Sequence, residues 1–134
     1  MDMSQINFLA VIAAAISSFI IGGIWYSPMM FSKAWMNETG HTEEDLKSGN
    51  MAMIFGGSFV LSLIIAFNLA AFLGTEADLS FGLFAGFAAG FGWVAMSIGI
   101  TYFFERKSLK LFLINAGYHV IAYTVMGAIL GAWK

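Results

Sequence analysis

Apolar and polar positions along this chain fall into long blocks, with none of the short alternation of a half-buried strand. Four stretches, residues 6–26, 51–73, 81–104 and 111–133, contain no Asp, Glu, Lys or Arg. Each exceeds the roughly 20 apolar residues needed to cross a hydrocarbon layer about 30 Å thick. A fully buried soluble helix would need a shell of amphipathic helices around it, and the short connections cannot supply one. The pattern therefore predicts an all-α integral membrane protein. It has one domain over residues 1–134, with four transmembrane helices at about those positions.

The end of the first stretch and the block after it read GGIWYSPMMFSKAW, residues 22–35, and hold the only proline. Trp25 and Tyr26 fall where the first helix should reach the headgroups, a depth that favours amphipathic rings. Ser27 followed by Pro28 has the form of a helix cap and a first-turn proline. Met30, Phe31, Ala34 and Trp35 then share one side, with Ser32, Lys33 and Asn37 on the other. This predicts a short interfacial helix over about 28–38, anchored by Trp25, Tyr26, Pro28 and Trp35. Further on, Thr42 and Asp45 are spaced as a capping box and predict a helical turn before the second crossing. A short echo pairs Gly23, Ile24 and Tyr26 with Gly99, Ile100 and Tyr102 at the ends of the first and third segments.

Charge sets an orientation. The first connection holds Lys33 and Lys47 and the third Arg106, Lys107 and Lys110, whereas the opposite face has only Lys134. Basic residues favour the cytoplasmic side, which predicts cytoplasmic first and third connections and both termini outside. The start, MDMSQ, carries Asp2 in place of a basic cluster, so the first segment is expected to be retained and not cleaved as a leader. The net charge of −2 comes without a basic patch, so no nucleic-acid partner is expected. The chain has no cysteine, which excludes disulfides and thiol chemistry.

At about 100° per residue, the third segment presents Gly82, Gly86, Gly90, Trp93 and Ser97 on one face and Phe84, Phe87, Phe91, Val94 and Ile98 on the other. Glycine at every fourth position lets another backbone approach, so the first face is expected to meet protein and the second lipid. The first segment divides similarly, with Asn7, Ala10, Ala14, Ser17 and Ser18 opposite Phe8, Ile12 and Phe19. In the second, Asn68 and Gly57 share a side. The fourth has two contact faces, Gly117, Thr124, Ala128 and Gly131 against Asn115, His119 and Met126. Two opposed contact faces on one helix predict a homo-oligomer with this segment at or near the subunit interface.

His119 is the one acid, base or imidazole within any crossing, about 12 Å beyond the start of its segment at 1.5 Å per residue. With Asn115, Ser97, Trp93, Ser18 and Ser58 it forms a candidate polar site. Intramembrane ionisable residues are functional candidates, but a histidine that only bonds neighbouring helices is the more ordinary reading, and Tyr118 lies nearby along the chain. No metal site is expected, since His41 lies in a connection and no carboxylate accompanies His119. No HExxH, phosphate loop or nucleophile elbow occurs, and no cofactor is implied.

WYSP and KAWM at residues 25–36, together with GYHV and MGAILGAW at 117–133, resemble a bacterial family, domain of unknown function 1761. The resemblance spans the chain and implies a small four-helix integral membrane protein, with no catalytic residues to carry over. The expected protein is thus a multi-pass component of the bacterial inner membrane, self-associating, with an interaction or membrane-structural role. An oligomeric permease or channel built around His119 is the alternative, and a cofactor-free enzyme acting on a lipophilic substrate comes third. The expected partners are the lipid bilayer and further copies of the chain.

Overall fold

The structure, a computed structural model, describes residues 5–133; Asp2 and Lys134, used above for the leader argument and the charge count, lie outside the described residues. Among those residues it is helical, without strands. The order is α1 (Phe8–Trp25), α2 (Ser32–Thr39), α3 (Glu43–Lys47), α4 (Met51–Leu73), α5 (Leu79–Ala89), a π-helical stretch (Gly90–Ala95), α6 (Met96–Glu105) and α7 (Leu109–Ala132). The α5–π–α6 run is continuous, and with α1, α4 and α7 it makes four helices long and apolar enough to cross a membrane, of 18, 23, 27 and 24 residues.

Local chemistry starts each long helix. The side chains of Asn7, Asn50, Asp78 and Ser108 accept from the backbone N–H groups of Ala10, Met53, Phe81 and Leu111 at 2.9–3.1 Å. Each satisfies a donor that would otherwise be orphaned at the helix end. At the other end of α4, Gly74 takes φ 72°, which lets the chain turn sharply into α5.

The short helix after α1 begins later than Ser27–Pro28 predicts. Ser27 turns its hydroxyl back to the Ile24 carbonyl at 2.7 Å, and its own carbonyl accepts from Met30 and Ser32. Residues 27–31 therefore wind as a turn, in which Pro28 is exposed, and α2 starts at Ser32 without a side-chain cap. The helical turn expected after Thr42 is α3, where Thr42 Oγ1 accepts from Asp45 N at 3.1 Å. The Asp45 carboxylate does not close the box. It meets His41 Nδ1 at 2.6 Å, and the His41 ring stacks on Trp35.

The last helix, α7, is the central one. Along one side Val120, Tyr123, Gly127 and Gly131 meet Gly82, Gly86 and Gly90. On another side Gly117 and Tyr118 meet Trp25 and Gly22 of α1. Gly117 and Gly131, expected on one face, thus meet two different helices, and of the set expected opposite them Met126 is buried and Asn115 bonds Tyr26 and Tyr102 within the chain.

The face on the α5 side also differs from the expected set. Gly127 and Gly131, not Thr124 and Ala128, sit at the crossing; both of the latter are half-buried, and Thr124 bonds back to Val120 O at 2.7 Å. The approach is so close that a Cβ on Gly82 or Gly127 would run into the other's carbonyl oxygen. The core is built mainly of small residues, Ala10, Ala14, Ala15, Ala66, Ala85 and Ala122, closed by Leu69, Leu73, Met126 and Leu130. All of these lie toward the end of the bundle that carries Asn7, Gly74 and Trp133.

Candidate functional site

The π-helical stretch decides which residues of the third span reach the interior. A face counted at 100° per residue holds only while the helix stays α-helical. One wider turn rotates everything beyond it. Gly82, Gly86 and Gly90 precede the rotation and face α7, with Phe84, Phe87 and Phe91 outward. Beyond it Ala95 is buried, Val94 and Ile98 are half-buried, and Tyr102 turns inward, while Trp93 is 69% exposed and Ser97 is exposed. Trp93 and Ser97, expected beside His119, are on the outside instead.

What gathers inside is a set of tyrosines around Asn115. Tyr26 Oη donates to Asn115 Oδ1 at 2.6 Å, and Asn115 Nδ2 donates to Tyr102 Oη at 2.7 Å. One amide therefore joins the ends of α1 and α6 to α7, its carbonyl taking one phenol and its N–H₂ serving the other. Next to it, Trp25 Nε1 donates to the Ile114 carbonyl at 2.8 Å. Gly117 makes room for that indole, since a Cβ there would lie 3.1 Å from Trp25 Cζ2. A turn deeper, Tyr118 Oη donates to the Ser18 carbonyl at 3.0 Å and contacts the buried Ser18 hydroxyl at 2.9 Å. The Tyr26 ring lies between those of Tyr118 and Trp35, at 5.6 and 6.2 Å.

The residues expected as headgroup anchors are thus used by the protein itself. The polar tips of Trp25 and Tyr26 bond α7, and Trp35 is held between Tyr26 and His41. Sequence reasoning missed Tyr102, and it placed Tyr118 beside His119 without its bond to Ser18. The signal for Tyr102 was present in the echo of Gly23-Ile24-x-Tyr26 and Gly99-Ile100-x-Tyr102, whose two tyrosines close on the same amide.

His119 stands apart from this network. Its half-buried ring packs edge-on against Tyr118, with centroids 4.9 Å apart. Ser18 is bonded to Tyr118, and neither the exposed Ser97 nor Ser58 hydrogen-bonds to it. Among the described residues no three His, Asp or Glu side chains group as metal ligands. The Asn115 network is neutral, so its chemistry is to fix three helices in register.

Two clefts open at the sides of α4. One, of about 590 Å³, lies between α4 and α5, lined by Ile65, Phe72, Phe84 and Ala88 with the polar tips of Asn68, Trp93 and Tyr123. The other, of about 500 Å³, lies between α1 and α4 toward the α2 end, lined by Phe19, Phe55, Tyr26, Tyr118, Ser58 and Ser62. Neither includes His119.

Comparison with curated proteins and with solved structures gives no match. A family profile described as a protein of unknown function, DUF1761, matches residues 9–131. The quoted WYSP, KAWM and GYHV motifs and most of MGAILGAW fall inside that match, and the chain belongs to the DUF1761 family.

Proposed function

We propose that this protein is a multi-pass component of the bacterial inner membrane that pairs with a second copy of itself through α4, and that its role is structural or that of an interaction partner. Four helices of sufficient length and apolarity support the membrane placement. The basic residues of the α1–α4 and α6–α7 connections support an orientation with those connections in the cytoplasm and both termini outside.

The observation that carries the pairing is Asn68. It lies on the side of α4 turned away from the buried Ser62, Ala66 and Leu73, where it lines the open α4–α5 cleft, and is exposed with no hydrogen-bond partner among the described residues. Met53, Gly57, Val60 and Ile64 share that outward side. In hydrocarbon an unsatisfied amide is costly. An amide both donates and accepts, so it is complementary to its own copy. A two-fold axis along the membrane normal would set Asn68 opposite the same residue of a second chain at the same depth, with Gly57 allowing close approach. This moves the expected interface from the last helix to the second span.

The chain has no cysteine, so single cysteines report contacts cleanly. Oxidation of Asn68→Cys in native membranes should give a disulfide-linked dimer, whereas Leu83→Cys, exposed at similar depth on α5, should stay monomeric. Monomer at both positions, or equal dimer at both, rejects pairing through α4.

A further inference from the structure

The cleft between α1 and α4 is more than a gap in packing. Near the termini α1 and α4 contribute the small core residues Ala10, Ala14 and Ala66; toward α2 they meet through the large ring of Phe19 against Phe55 and Phe59, beside a cleft of about 500 Å³, within the usual size of a small-molecule site. Ser62 lies on its wall. This residue is only 9% exposed, and its hydroxyl has no hydrogen-bond partner among the described residues. Serines in helices commonly bond back to their own backbone, as Ser17 does to Ala14. Ser62 and Ser58 do not, and both line the cleft.

Three features define what fits. No Asp, Glu, Lys, Arg or His lines the cleft, so the occupant is neutral. Phe19, Phe55, Tyr26 and Tyr118 form aromatic walls, which favour a flat ring stacked or edge-on. Ser58 and Ser62 are one helical turn apart, about 5–6 Å between Cβ atoms, so they offer two hydroxyls to oxygens at opposite edges of one six-membered ring. Gly23 adds room at the mouth, where a Cβ would meet nothing within 4 Å.

We infer that this cleft binds a neutral, membrane-dissolved ring with oxygens on opposite edges and an apolar tail, the chemical class of a quinone or quinol. The tail leaves between α1 and α4 into lipid, and the Ser58 and Ser62 hydroxyls hold the ring oxygens. The inference rests on the membrane placement proposed above but not on pairing, because Ser58 and Ser62 lie on a different side of α4 from Asn68.

The test uses the full chain in phospholipid nanodiscs with a decyl-substituted benzoquinone, read by quenching of tryptophan emission, Trp25 being next to Tyr26. Wild type should quench saturably, and the matching decyl hydroquinone should compete while decylbenzene should not. Ser58→Ala and Ser62→Val should each weaken binding about tenfold, the loss of one hydrogen bond. Ser58 is exposed, so its variant keeps the fold and reports even where Ser62→Val does not assemble. Asn68→Leu should bind like wild type even if it no longer pairs, which separates this site from the pairing reading. Resistance of the chain to alkaline carbonate extraction from membranes checks the placement separately. Non-saturating quenching, indifference to Ser58→Ala, or competition by decylbenzene overturns the inference.

Discussion

The end of the bundle that carries the termini and the end that carries α2 are built from the same four long helices, yet they are held by different chemistry. Near the termini, alanine and glycine bring backbones into contact. Gly82 and Gly86 fit against Tyr123 and Gly127 so closely that no Cβ could be inserted at these glycines. Near α2, large rings keep the helices apart, and directional bonds from Tyr26, Tyr102, Trp25 and Tyr118 hold them at that spacing. Where side chains are small, association in lipid comes from van der Waals contact; where they are large and polar-tipped, it comes from hydrogen bonds.

The same substitution made at both ends gives the largest contrast. Gly127→Ala puts a methyl into the Gly82 carbonyl, where only backbone could yield, and should cost about 3 kcal/mol or assembly altogether. Gly56→Ala on α4, with nothing within 4 Å of the new carbon, should be neutral or gain up to about 1 kcal/mol from helix propensity. Unfolding titrations from mild detergent into SDS measure both, and equal effects would erase the distinction between the two ends.

Asn115→Leu removes the acceptor for Tyr26 and the donor to Tyr102 together. Strandings of this kind cost about 1–3 kcal/mol in general, and hydrogen bonds between membrane helices average nearer 0.6 kcal/mol, so a loss of about 1–2 kcal/mol is expected. The same titration would show it, and no change would mean that ring packing alone holds the α2 end. Smaller again, Tyr102→Phe should cost about 0.5–1 kcal/mol in the wild-type background and less once Asn115 is leucine. A double-mutant cycle reads that coupling, and strict additivity would show that the bond contributes nothing.

Much of this was legible in residue order alone. Uninterrupted apolar length marks four spans without any knowledge of packing. Thr42 announces the start of α3, because a cap acts within three residues, and glycine every fourth position marks a face that meets another backbone. Ser18 and Asn115 also stood out, as polar groups in apolar runs that must find partners. Their partners were another matter. Trp25 and Tyr26 looked like membrane anchors, since a ring at a helix end has the same sequence signature whether it points to a headgroup or to a neighbouring helix. Trp93 and Ser97 were counted onto the wrong face because a π turn leaves no periodic trace in a composition so uniformly apolar. The double contact face of α7 read as a subunit interface because residue spacing says that a face needs protein without saying whose. Helix existence depends on neighbours a few positions away and survives in the linear order. Which side meets which depends on rotations and crossings accumulated over the whole bundle, and these exist only once all four helices are packed.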